Sequence, residues 1–150
     1  ICARLTSDLR AAIVASPSYL ERTTIPRHPN DLMQHRCVRH RFASGRIYRW
    51  EFEKAGEELE IAINGSLILN DDRLILDAIL NGAGLAYLFE DHVRDALADG
   101  RLVRVLEDWC QPFAGLYLYY PSRRQMRPAL RAFIDFFRGS YEMQHRFLGA

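Results

Sequence analysis

Apolar residues follow two periods along this chain, and the switches between those periods mark its elements. The stretch from Ser66 to Leu88, SLILNDDRLILDAILNGAGLAYL, passes through both. Its first apolar run predicts a short strand, Asn70-Asp71 the cap of a helix, Gly82-Ala83-Gly84 the stop of that helix, and Leu85 to Leu88 a second strand. A strand, helix and strand joined this closely form a crossover between parallel strands, which sets an α/β fold. Within the helix Leu74, Ile75, Ala78 and Ile79 recur at helical spacing, and Leu76, Leu80 and Ala83 widen the apolar face, so a largely buried helix is expected. Helix starts at the ends of parallel strands are where small ligands bind in such domains.

Elsewhere the pattern is read in the same way. Leu9 to Ala15 predicts the first strand, and Ser16-Pro17 caps a short helix through Arg22. His28-Pro29-Asn30-Asp31-Leu32 predicts a helical turn. Cys37 to Phe42 alternates as a strand, with Cys37, Arg39 and Arg41 on one side and Val38, His40 and Phe42 on the other. Trp50 to Glu53 and Glu58 to Ile63 alternate apolar and charged residues around Ala55-Gly56, a hairpin with one wet face, and Asn64-Gly65 turns into the central stretch. Glu90 to Ala98 predicts a helix, Arg101 to Leu106 a strand and Leu116 to Tyr120 a last strand stopped by Pro121. A final helix opens near Pro128 with Leu130, Phe133, Ile134 and Phe137 as its apolar stripe.

At 150 residues a single domain with a real core is possible, and 49% hydrophobic residues is ordinary globular composition. Twenty Lys+Arg against nineteen Asp+Glu leave a net charge of +1, too little for bulk attraction to nucleic acid or membrane. Cys2, Cys37 and Cys110 lie far apart without a CxxC pair, which argues against a disulfide framework or zinc knot and fits a reducing cytoplasm. No apolar run reaches the roughly eighteen residues of a membrane span. The missing initiator Met and the early first strand point to a piece of a longer protein.

Read in order, Ala15-Ser16-Pro17-Ser18-Tyr19-Leu20, His28-Pro29-Asn30-Asp31-Leu32, His35-Arg36-Cys37, Trp50-Glu51-Phe52, Asn70-Asp71, Gly82-Ala83-Gly84-Leu85-Ala86-Tyr87-Leu88, Gly100-Arg101-Leu102-Val103 and Tyr120-Pro121-Ser122-Arg123 resemble the effector-binding domain of LysR-type transcriptional regulators. The resemblance runs from about Leu9 to Arg138. It implies an α/β fold of periplasmic-binding-protein-like type 2, here one complete lobe, a mixed sheet with flanking helices, plus the return strand and last helix of the other lobe. On that basis 1–15 is a crossover strand, 16–112 the second lobe, and 113–150 the return strand and C-terminal helix of lobe one. The family's DNA-binding domain and the first half of lobe one have no counterpart here. Phe89, where Pro is commoner, and Glu21 to Ile25, where a Gly is commoner, depart only in loops. The resemblance further implies a bacterial, cytoplasmic regulator with a small-molecule effector between its lobes, an organic acid or similar anion. It implies a homodimer or higher homo-oligomer, DNA contact only through an N-terminal domain absent here, and no cofactor, membrane or enzymatic role.

In such regulators the strand that Cys37 to Phe42 resembles ends at the cleft, and the helix opened by Asn70-Asp71 points its start toward it. Free N–H groups and a helix dipole on one side, with Arg39 or Arg41 for bidentate contact on the other, suit an anion, and Phe42 could cover an apolar part. His40 lies between the two arginines. Against this, Arg39 and Arg41 could be the charged face of an edge strand, and Asn70 and Asp71 a plain cap. Arg10, Ala11 and Leu116 are the crossover candidates. His35, Cys37 and His40 have an H-x-C-x-x-H spacing, but His40 points away from the other two on a strand, so metal and a Cys-His pair are both disfavoured. No GxSxG, P-loop or HExxH occurs, and Gly82-Ala83-Gly84 follows a helix, where it reads as a stop. Trp50 and Trp109 read as packing, and Ser122-Arg123-Arg124 as a solvated loop. A short-lobe chain would expose the Leu130, Phe133, Ile134, Phe137 stripe, which makes an association module the competing function.

Overall fold

The strand β2 (Ala11–Ala15) is made only of alanine, isoleucine and valine, and every one of its residues is buried. A strand this apolar can only lie inside a sheet covered on both faces. A computed structural model describes residues 1–121 and 126–147, and it forms two units, residues 10–111 and residues 1–9 with the chain from 112 onward. The Ser122-Arg123-Arg124 loop lies outside the described residues.

In the larger unit β2 pairs antiparallel with β7 (Ala86–Phe89) on one side and with β8 (Val103–Val105) on the other. Ile13 and Ala15 enter one core layer with Tyr19, Cys37, Trp50, Phe52 and Trp109. Ala12 and Val14 enter the other with Val38, Ile75, Ile79, Val93 and Leu102. Beyond β7 the sheet turns parallel. Leu85 bridges Cys37, and β3 (Arg39–His40) pairs parallel with β6 (Ile68–Leu69). The crossover read from Ser66 to Leu88 is therefore present, with β3 lying between its two strands. The residues 10–15 belong to this larger unit, where β2 is its central strand.

Helix α1 (Pro17–Leu20) is capped by the Ser16 hydroxyl, which accepts from the Tyr19 N–H. A 3-10 helix spans Pro29–Gln34. The hairpin of β4 (Trp50–Lys54) and β5 (Glu57–Ile61) turns at Ala55 and Gly56, both with positive φ, as a two-residue hairpin turn requires. In α2 (Asp72–Leu80) only Ile75 and Ile79 are fully buried, while Leu74 is 51% exposed. The expected buried helix is thus a one-sided one, because it covers a single sheet face and leaves the opposite flank in water. Gly82, at φ +81, ends it. Gly84 meets the neighbouring strand so closely that a Cβ would lie 2.1 Å from the Arg36 carbonyl oxygen. Helix α3 (Glu90–Ala98) and a 3-10 turn at Glu107–Trp109 complete the unit.

The smaller unit holds a strand that the periodicity did not reveal, β1 (Cys2–Arg4), antiparallel to β9 (Tyr117–Tyr119). Three residues with one buried position carry too little pattern to read. Helix α4 (Pro128–Phe147) sets Ile134 inside and donates from Arg138 Nε to the Arg4 carbonyl at 2.9 Å. Elsewhere on the expected stripe Leu130 is half-buried, while Phe133 and Phe137, rings 5.0 Å apart, are exposed, and Phe136 beside them is 70% exposed. No helix among the described residues is long and apolar enough to cross a membrane.

One polar knot bears on stability. The Tyr19 hydroxyl accepts the Arg36 N–H at 3.2 Å and lies at hydrogen-bond distance, 3.0 Å, from His35 Nδ1. Burial, the largest effect, holds the His35 imidazole below its ordinary value. An imidazole depressed in the folded state supports folding above its unfolded value and opposes it as pH falls through the folded one. Stability by urea unfolding should therefore decline below about pH 6.5, and His35→Gln, which keeps an acceptor for Tyr19, should remove part of that decline; identical pH profiles would refute the assignment. Truncating Ile79 to Ala should cost about 3 kcal/mol and Leu74 to Ala less than about 0.5 kcal/mol, by circular dichroism in urea.

Candidate functional site

Because β3, β6 and β7 run the same way, the residues that follow each strand leave the sheet at one end. In open α/β sheets that carboxyl end is where ligands sit. The chain passes there from β3 into Arg41 and Phe42, from β6 into Asn70, Asp71 and Asp72, and from β7 into Glu90, Asp91 and His92. Their side chains meet. His40 Nδ1 is 3.1 Å from Asp72 Oδ1, and His92 Nδ1 is 3.6 Å from Asp72 Oδ2. A single carboxylate in the first turn of α2 thus stands between two imidazoles carried by different elements. The Phe42 ring lies 5.2 Å from that of His40, and the Phe89 ring meets His92 edge-on at 5.9 Å. Both phenylalanines are partly exposed, so apolar surface flanks a polar centre.

Asp71 is the cap of α2, its Oδ1 accepting from the N–H of Arg73 at 2.8 Å and of Leu74 at 3.3 Å. The sequence reading offered free N–H groups here to an anion. Two of those donors are already taken by Asp71, as its residue type favours. Asn70 is exposed beside it. Arg39 is half-buried, and its Nε is enclosed with no hydrogen-bond partner. Arg41 is exposed, and the Arg46 guanidinium lies over the Phe42 ring at 5.4 Å. Phe42 in turn meets Tyr48, and Tyr48 meets Tyr87 at 5.3 Å. Burial pushes both phenols above their ordinary range, Tyr87 further, so this pair stays uncharged.

The crossover candidates have structural partners. Arg10 Nε donates to the Cys110 carbonyl at 2.7 Å, and its guanidinium lies 3.7 Å from Glu90 and 3.6 Å from Glu107. Arg104 joins that network through Glu90 at 2.6 Å and the Ala11 carbonyl at 2.7 Å. Ala11 pairs with Phe89 inside the sheet. Leu116 lies in the smaller unit, where its N–H donates to Thr6 Oγ1 at 2.8 Å. His35, Cys37 and His40 are not brought together: His35 bonds Tyr19, His40 bonds Asp72, and burial pushes the Cys37 thiol up to about 12, far from a ready thiolate.

Asp72, His92, Phe89 and Tyr48 escaped the sequence reading. A signal existed for two of them, Phe89 and His92, since the strand-end rule was applied after β3 and β6 and not after β7.

Over residues 1–142 the sequence matches the family described as LysR substrate binding domain. The chain belongs to that family. This LysR-type domain is 44% identical over 128 residues to the HTH-type transcriptional regulator YcaN of Escherichia coli (strain K12), covering 85% of the chain and 41% of that protein. It is 38% identical over 136 residues to the HTH-type transcriptional regulator PgrR of the same organism, over 90% of the chain and 46% of PgrR. The regulatory domain of AphB from Vibrio vulnificus superposes with a TM-score of 0.71 at 25% identity, over 93% of this chain and 68% of that one. The LysR-type chain thus spans less than half the length of these curated relatives, which are transcriptional regulators. Its fold is the periplasmic-binding-protein-like α/β fold of LysR-type regulatory domains.

Proposed function

We propose that this chain is the effector-sensing domain of a LysR-type bacterial transcriptional regulator, acting in the cytoplasm and binding a small organic anion between two lobes, of which residues 16–112 form one. The observation that carries the reading is the convergence of three parallel strand ends on one polar centre, with Arg39, half-buried and its Nε unpartnered, next to His40 on the same strand. A carboxylate accepts paired N–H bonds from a guanidinium readily, and an Nε shielded from water without a partner gains from such a ligand. Phe42 offers a face to the ligand's apolar part. DNA contact belongs to a separate N-terminal domain of the whole regulator. An effector shifts such a regulator only through its different affinity for two arrangements of the protein.

Calorimetry against a panel of small aromatic and aliphatic carboxylates should find a ligand whose affinity falls at least tenfold when Arg39→Ala, Arg41→Ala and Asn70→Ala are combined. Unchanged affinity in the triple variant rules the site out.

The open face of α4 favours a second reading alongside the first. Phe133, Phe136 and Phe137 are exposed together, and aromatic surface of this kind marks association between copies. Light scattering should show an oligomer that Phe136→Glu with Phe137→Glu disperses; a monodisperse monomer in the parent chain sinks this reading.

A further inference from the structure

The carboxyl end of the parallel strands carries two acids at the start of α2, Asp71 and Asp72, which alone would repel the anion proposed for it. With both imidazoles neutral, these acids leave the helix start doubly negative. Each proton taken up by His40 or His92 cancels one of those charges. The other charged groups on the elements that meet here are Arg39 and Arg41 beside His40, Arg73 on α2, and Glu90, Asp91, Arg94 and Asp95 on α3. Asp91 is held by Arg94 at 2.5 Å and Glu90 by Arg104 at 2.6 Å, so these two acids are already countered.

We infer that His40, Asp72 and His92 form a proton-linked receptor within the anion site proposed above, on which this inference rests, and that a carboxylate effector binds there together with a proton from solvent. The geometry supplies the reason. Asp72 Oδ1 lies at hydrogen-bond distance from His40 Nδ1, which fixes a proton on that nitrogen and leaves Nε2 as the atom for a ligand. In a neutral imidazole Nε2 is an acceptor, and its lone pair opposes a carboxylate oxygen. Protonated, Nε2 becomes a donor while Asp72 balances the added charge. His92, its side chain half exposed and its Nδ1 3.6 Å from the second Asp72 oxygen, can take up the same role from α3. No covalent step is involved: one proton moves from solvent to Nε2, and one N–H···O bond forms to the bound anion. His92 and Asp72 thereby join the residues that set effector class, selecting an ionised acid over a neutral or cationic molecule of the same shape.

Linkage fixes the signature. Uptake of one proton on binding makes affinity fall, by up to roughly tenfold per pH unit, as pH rises. The test uses the whole chain with benzoate as probe, ionised throughout, followed by NMR of the histidine ring signals at pH 6.0 and pH 8.0. Benzoate should bind about tenfold more tightly at pH 6.0, with the His40 and His92 signals moving on binding. Asp72→Asn and His92→Gln, each confirmed as folded by the unchanged remainder of the spectrum, should flatten that dependence, whereas His35→Gln should not. Equal affinity at the two pH values, with binding still lost in the combined arginine and asparagine variant, overturns the proton linkage and leaves the anion site standing. Absence of binding at both pH values overturns the anion site and the linkage together.

Discussion

Everything at the candidate site depends on β2 being covered on both faces. A strand of alanine, isoleucine and valine with no exposed position cannot sit at an edge, so it must have a neighbour on each side. Those neighbours, β7 and β8, both run against it. With β7 oriented, the parallel addition of β3 and β6 brings three strand ends to the same side of the sheet. The meeting of His40, Asp72 and His92 is therefore a topological result, produced by residues far apart in the chain that no local pattern connects.

The electrostatics of that meeting place are divided by element. Alternating residues of β3 carry cationic and imidazole side chains, α2 begins with two acids, and burial pushes the phenols of the tyrosine pair beyond Phe42 above their ordinary range. Asp71 satisfies its own helix, and Asp72 is turned outward to the histidines. Two neighbouring aspartates thus do different things because one occupies the cap position and the other the first helical turn.

Much of the fold was legible because its signals are local. The hairpin at Ala55-Gly56, the Ser16 cap, the crossover from Ser66 to Leu88 and the glycine stop at Gly82 each rest on a few adjacent residues whose chemistry permits few alternatives. What could not be read was set by pairing at a distance. Strand β1 exists because β9 is beside it, and Leu74 is exposed because only one face of α2 has a sheet to cover. At the site, the side of β3 on which His40 lies was legible from alternation, and its ring contact with Phe42 agrees. Its partner Asp72 was not, since that contact joins positions thirty-two residues apart.

The two tryptophans give the molecule a property of a different kind. Trp50 is held under the sheet among Phe52 and Tyr87, and Trp109 between the edge of His28 and the ammonium of Lys54. Both belong to the larger unit, and the sequence contains no others. Indole emission is therefore a spectroscopic channel carried by that unit alone, blue-shifted while its interior stays dry.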